Sequence, residues 1–142
     1  MIPHEEVTRR DSIHIDPVHH ELYSQLTTGS DAPFKTMKDM FMLATSAGFT
    51  RRRRLPLSSQ REIFRWPVFS PQEDIPILRA IAIAETGSTT VLTDQNQLLT
   101  IAEEYANAGI DQIRRQIADQ PGMPLESLVN FLIDNATRGS KS

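Results

Sequence analysis

The chain contains no cysteine, which removes disulfides, thiolate nucleophiles and cysteine-based zinc sites together and fits a reducing cytosol. It has only three lysines, Lys35, Lys38 and Lys141, and none stands in the Asp…Glu-x-Lys setting that one class of nucleases uses. A phosphate-cradling glycine loop, a Gly-x-Ser-x-Gly elbow and a His-Glu-x-x-His pair are all missing. No catalytic residue is therefore nominated, an enzyme is the least favoured class, and no cofactor is expected. The longest apolar run, Ile75 to Ala84, is interrupted by Pro76 and Arg79 and falls far short of the ~20 residues a bilayer requires. The first residues, MIPHEEVTRRDS, mix both charges and lack the apolar core of a signal peptide. A cytoplasmic protein without membrane contact is the expectation.

What the chain does have is concentrated positive charge. Gly48 to Phe69, GFTRRRRLPLSSQREIFRWPVF, holds six of the 15 Lys and Arg residues against Glu62 alone, a formal +5 inside a chain of net −3. Four consecutive arginines cannot all enter an apolar core, because each would lose several kcal/mol of hydration. They must face solvent or an anionic partner. Arginine forks match phosphate geometry, so Arg51, Arg52, Arg53, Arg54, Arg61 and Arg65 are the candidate contacts to a nucleic-acid backbone, with Trp66 as a surface on which a base could stack. An acidic protein partner is the second reading, and a solvated basic loop the third. Phe64, Trp66 and Phe69 are also read as core, anchoring the loop that carries the arginines.

At 142 residues the chain is expected to form one helical domain over residues 13–136, with polar ends at 1–12 and 137–142 read as flexible. Ser12 to Asp16 alternates as a short extended piece. Asp16 then caps a helix whose first turn holds Pro17 and which runs through Val18, Leu22 and Leu26 toward Gly29. Phe34, Met37, Met40, Phe41, Ala44 and Ala47 form an apolar stripe at helical spacing, with Gly48 read as the left-handed C′ residue that ends it. Between Arg51 and Phe69 the helical period vanishes; Ile63 to Val68 alternates loosely, and Pro67 restricts it to an edge strand. A helix beginning at Asp74, with Pro76 in its first turn and Gly87 as its stop, is apolar nearly all round and is expected to be the central, most buried one. Asp94 with Gln97 resembles a capping box for a helix ended by Gly109. Ile110, Ile113 and Ile117 mark a further helix, and Pro124 opens the last. The fold class is all-α: a compact bundle of five to six helices with one long irregular basic and aromatic insertion, which leaves room for a short strand pair.

His14, His19 and His20 lie near Asp16 and Glu21 but lack metal-ligand spacing, since adjacent helical positions point about 100° apart. They are read as surface histidines, and no metal site is expected. Glu103 and Glu104 beside Tyr105 are read as solvated carboxylates.

The blocks FKTMKDMFMLATSAGF, the Arg-x-Pro-Leu of Arg54 to Leu57, IFRWPVF, AIAIAETG and IAEEYANAGI occur in that order between Phe34 and Asn135. In this respect the chain resembles the DNA phosphorothioation-associated (Dnd system-associated) protein 4 family. The resemblance implies a bacterial accessory protein of systems that replace a DNA backbone oxygen with sulfur or restrict unmodified DNA, and it carries no active-site set. The expected role is a non-catalytic DNA-binding accessory of such a phage-defence system. The alternative is an adaptor between proteins of the same system, or a self-assembling regulator that forms a homo-oligomer, without direct DNA contact.

Overall fold

The computed structural model describes residues 9–140, the side chains of 138–140 excepted. The expected arm falls outside the described residues as far as residue 8, and so do positions 141 and 142 of the expected tail. Five helices and one strand pair make up the fold: β1 Ser12–Ile15, α1 His20–Thr27, α2 Met37–Thr50, β2 Arg61–Arg65, α3 Asp74–Thr86, α4 Gln95–Ile113 and α5 Pro124–Ser140. It is mostly helical, as the apolar periodicity requires.

Several boundaries follow from local chemistry. The Asp16 carboxylate accepts from the Val18 amide ahead of a 3-10 turn, Pro17–His19, that leads into α1. Asp94 accepts from the Gln97 amide at the start of α4, and Gly87 ends α3 with φ +71°. Thr36 caps α2 by accepting from the Asp39 amide. Val18, expected on the buried stripe of the first helix, is 72% exposed, because the 3-10 turn rotates it off the face that carries Leu22 and Leu26.

The strand pair exists and is antiparallel, with Ile13 opposite Phe64 and His14 opposite Glu62. Ile63 is thus the extra residue of a bulge. That explains why Ile63 and Phe64, which strict alternation would send to opposite faces, are both half-buried against the core. Pro67 falls just beyond β2, in a 3-10 turn over Trp66–Val68.

The core is organised by α2 and α4, which cross at backbone contact. A Cβ on Gly48 would lie 2.0 Å from the Tyr105 carbonyl oxygen, and one on Gly109 would lie 1.9 Å from the Ala44 carbonyl oxygen. The Thr45 hydroxyl donates to the Ala102 carbonyl (3.3 Å) across the same crossing. Both glycines therefore lie inside helices and end neither, contrary to their expected role as stops. What they supply is the missing side chain that lets two helix axes approach.

α3 is not the most buried helix. Ile77, Ala80 and Ala84 face solvent, because alanine counts as apolar while gaining little from burial. α4 takes the central place, burying Leu98, Leu99, Ile101, Ala102, Tyr105, Ala106 and Ile110. It continues without a break into a π-helical turn, Arg114–Ala118, closed by the Asp119 amide donating to the Arg114 carbonyl (2.8 Å). The two isoleucine segments expected to be separate helices thus form one rod.

Gly48→Ala and Gly109→Ala are each expected to lower stability by about 2 kcal/mol or more, the upper part of the range for overpacking a close-packed interior. The reading is the urea midpoint of unfolding, and an unchanged midpoint in either variant would contradict backbone contact at the crossing.

Candidate nucleic-acid interface

The basic run begins where α2 ends. Arg51 is the C-cap, and Arg52 adopts the left-handed conformation with φ +53°. The Arg52 amide donates to the Phe49 carbonyl (2.9 Å) and the Arg53 amide to the Gly48 carbonyl (3.0 Å). These two bonds form the Schellman stop expected at Gly48, displaced by four residues so that an arginine occupies the glycine position. An L-residue there costs about 1–2 kcal/mol. The Arg52 guanidinium offsets part of this by lying 4.0 Å from the centroid of the Phe49 ring.

The turn divides the four arginines into two pairs. Arg52 and Arg54 go to one side, toward the protein's own acidic residues. Arg54 donates through Nη1 to Glu85 of α3 (2.6 Å), and through Nε and Nη2 to Glu104 of α4 (3.1 and 2.9 Å). The Tyr105 hydroxyl also donates to Glu85. Bonds from Tyr105 first and Arg54 second hold the Glu85 pKa below its ordinary value. The loop beyond is sewn down along α4 and α1: the Leu55 amide donates to the Glu104 carbonyl, the Asn107 amide to the carbonyls of Leu55 and Pro56, and Ser58 to the Asp16 carboxylate through both backbone and hydroxyl. The Ser58 hydroxyl is the first cause of a lowered Asp16 pKa.

Arg51 and Arg53 go to the other side. Both line a recess of about 310 Å³ whose walls include Gly48, Gly109, Gln112 and Arg115. Arg51, Gln112 and Arg115 also line a larger open groove of about 530 Å³ between the π-helical turn and α5. Arg51 and Arg115 line both spaces and Arg53 the recess, and Asp134 is the single carboxylate among the lining residues of the two. Among the described residues, neither Arg51 nor Arg53 forms an ion pair.

The remaining candidates lie elsewhere. Arg65 is paired with Asp11 at 2.9 Å on the exposed side of the strand pair, and Arg61 is exposed at the other end of β2. Trp66 stands edge-on to Phe69 with ring centroids 5.4 Å apart, in a cluster that continues through Phe64 to Phe41. Trp66 is therefore half-buried packing, and it is not brought to the groove.

Sequence reasoning missed Arg115, Gln112, Gln116 and Asn130, whose helical faces look solvated when read one at a time. It also misjudged Glu103, which is buried. Glu103 accepts from Arg10 Nη1 (2.6 Å) and the His14 amide (2.7 Å), and burial raises its pKa against the pull of those bonds. Arg10 is held further by Asn96 and Gln95, so the last residues of the expected arm are docked on α4. His14 and His19 are not surface groups either. The pKa of His19 is lowered, first by burial and then by the charge of Arg114. Among the described residues no group of three or more His, Asp or Glu could hold a metal ion, and no helix is long and apolar enough to cross a membrane.

The result is a mostly helical protein with Arg54 neutralised by Glu85 and Glu104 on one side of a strained turn and an arginine-lined groove on the other. A family model described as DNA sulphur modification system-associated protein 4 matches residues 13–142, and the chain belongs to that family. No curated protein and no solved structure matches it.

Arg54→Ala is expected to cost about 1–2 kcal/mol, the partly exposed setting reducing what charge-assisted bonds give when buried. It should also raise hydrogen exchange at the Leu55 amide, whereas Arg53→Ala should not. The folded-state pKa of Glu85 is depressed, so its stabilisation is complete above the ordinary value of 4.5 and is lost as pH falls through the folded value. The difference in urea midpoint between wild type and Glu85→Gln should therefore shrink on acidification below that value. A difference that stays constant down to pH 3 would contradict the assignment.

Proposed function

We propose that this protein is a non-catalytic, cytoplasmic accessory of a bacterial DNA sulphur-modification or restriction system, and that it holds DNA by its phosphate backbone. Family membership supports the setting. The observation that carries DNA contact is that Arg51 and Arg115 line both the groove and the adjoining recess, with Arg53 in the recess and, among the described residues, no ion pair at Arg51 or Arg53. Arginines already bound to carboxylates would have to break those bonds to take a phosphate; these two would not. Arg54 acts as the strap that fixes the loop. Arg52 sets the turn, and Arg61 and Arg65 are secondary contacts outside the groove.

Mobility shifts on duplex DNA across a salt series test this reading. Each phosphate contact removed lowers the slope of log affinity against log salt by about 0.9. The double variant Arg51→Ala/Arg53→Ala should flatten the slope by nearly two contacts and weaken all sequences alike. A wild-type protein that binds no duplex at low salt would sink the proposal.

A second reading, contact with another protein of the same system, is favoured by α5. Leu125, Val129, Leu132 and Ile133 recur at helical spacing and are 43–56% exposed, an apolar stripe turned outward with no covering element among the described residues. Val129→Asp/Leu132→Asp should abolish co-purification with proteins encoded beside this one while leaving DNA binding intact. Retained co-purification, or a stripe that mediates only self-association by mass measurement, would refute this reading.

A further inference from the structure

The groove is built from two helical faces that a soluble protein would ordinarily turn to water. Gln112, Gln116 and Gln120 recur every four residues along α4 and the turns after it, and Ser127, Asn130 and Asp134 follow at spacings of three and four along α5. α5 thus directs its polar face into the groove and its apolar stripe outward. Phosphate binding alone does not call for amides, because guanidinium groups supply donors and an anion offers only acceptors. Primary amides pair a donor with an acceptor on one planar group, which is the complement of a base edge. Two of these amides already have partners: Gln112 accepts from Arg115 (2.9 Å), and Gln120 donates to the Arg115 carbonyl (3.0 Å). Among the described residues, Gln116 and Asn130 have no side-chain hydrogen bond to protein. The π-helical turn carries Arg115 and Gln116 side by side into the groove, and such turns recur at functional sites. About 530 Å³ lies within the range of roughly 300–1,000 Å³ typical of small-ligand sites, whereas a duplex is too broad to enter a recess of that size.

Building on the DNA-binding reading above, we propose that the groove takes one unpaired nucleotide, its phosphate on Arg51 and Arg115 and its base edge on the amides of Gln116 and Asn130. The buried Phe131 ring forms the floor, so the base is read by hydrogen bonds and by the flat faces of the guanidinium groups. The smaller recess beside Gly48 and Gly109 shares Arg51, Gln112 and Arg115 with the groove and sets Arg53 next to it. This arrangement suits a nucleotide within a strand better than a free one.

Fluorescence anisotropy with a blunt duplex and the same duplex carrying a short single-stranded overhang separates the possibilities. The overhang should tighten binding by about tenfold, the size of one good base contact. Gln116→Ala/Asn130→Ala should remove that preference and leave blunt-duplex affinity and thermal unfolding unchanged, while Arg51→Ala/Arg53→Ala weakens both substrates. Equal binding of the two duplexes, or a Gln116→Ala/Asn130→Ala variant that keeps the preference, would overturn the nucleotide site while the backbone-binding function stands. Displacement of the overhang by deoxyadenosine monophosphate as effectively as by unlabelled overhang would assign the groove to a free nucleotide and overturn the strand reading. Failure to bind either duplex would overturn the function and the inference together.

Discussion

Everything described here depends on two helices touching backbone to backbone. Gly48 and Gly109 each lie against a carbonyl of the opposite helix, with no room for a methyl group. That contact sets where α2 ends relative to α4. Phe49 therefore meets the Tyr105 ring edge-on at 5.5 Å, and the arginines leave α2 between an acidic wall on one side and the π-helical turn on the other. A methyl group at either glycine would force the helices apart and move the whole site, although neither residue carries a functional group. The packing thus does electrostatic work, because it decides which charges meet.

The acidic balance of the chain has a similar explanation. Glu85, Glu104 and Asp11 are engaged by Arg54 and Arg65, so part of the concentrated positive charge is spent internally. What remains facing the groove is smaller than the run of four suggests and better directed. An internal ion pair of this kind contributes little as a partly exposed bond. Its larger effect is to fix the loop, which lowers the entropy a ligand would otherwise have to remove. On the far side of α4, Glu103 performs a comparable role for β1 by holding Arg10 and the His14 amide.

Much of this was readable from residue order, and the failures share a cause. Caps such as Asp16 and Asp94, the glycine stop at Gly87 and the Pro124 start are local in sequence and were legible, whereas the pairing of β1 with β2 joins segments far apart in the chain and was legible only as two extended pieces. The family was legible too, from the order of several blocks. Gly48 was misread because a glycine that ends a helix and one that admits a neighbouring backbone look alike until the neighbour is known. The central helix was misassigned because α3 is rich in alanine, and apolar composition is not buried area. Arg10 and Glu103 lie 93 positions apart, and neither one suggests the other. The groove was hardest to see, because it consists of ordinary polar faces from three helices made unusual only by their convergence. The arginine run is visible in the sequence itself, while its true start at the C-cap Arg51 and the different surroundings of its members needed the left-handed turn at Arg52.

That turn makes the site a matter of counting. Four identical side chains are sorted by their order along the chain: Arg51 and Arg53 line the recess beside Gly48 and Gly109, Arg52 lies over the Phe49 ring, and Arg54 turns to the acidic wall. Identity cannot tell them apart, so spacing must. A chain one residue shorter between the capped end of α2 and Leu55 would keep three arginines and an almost unchanged charge, yet it would exchange which of them are held and which are offered.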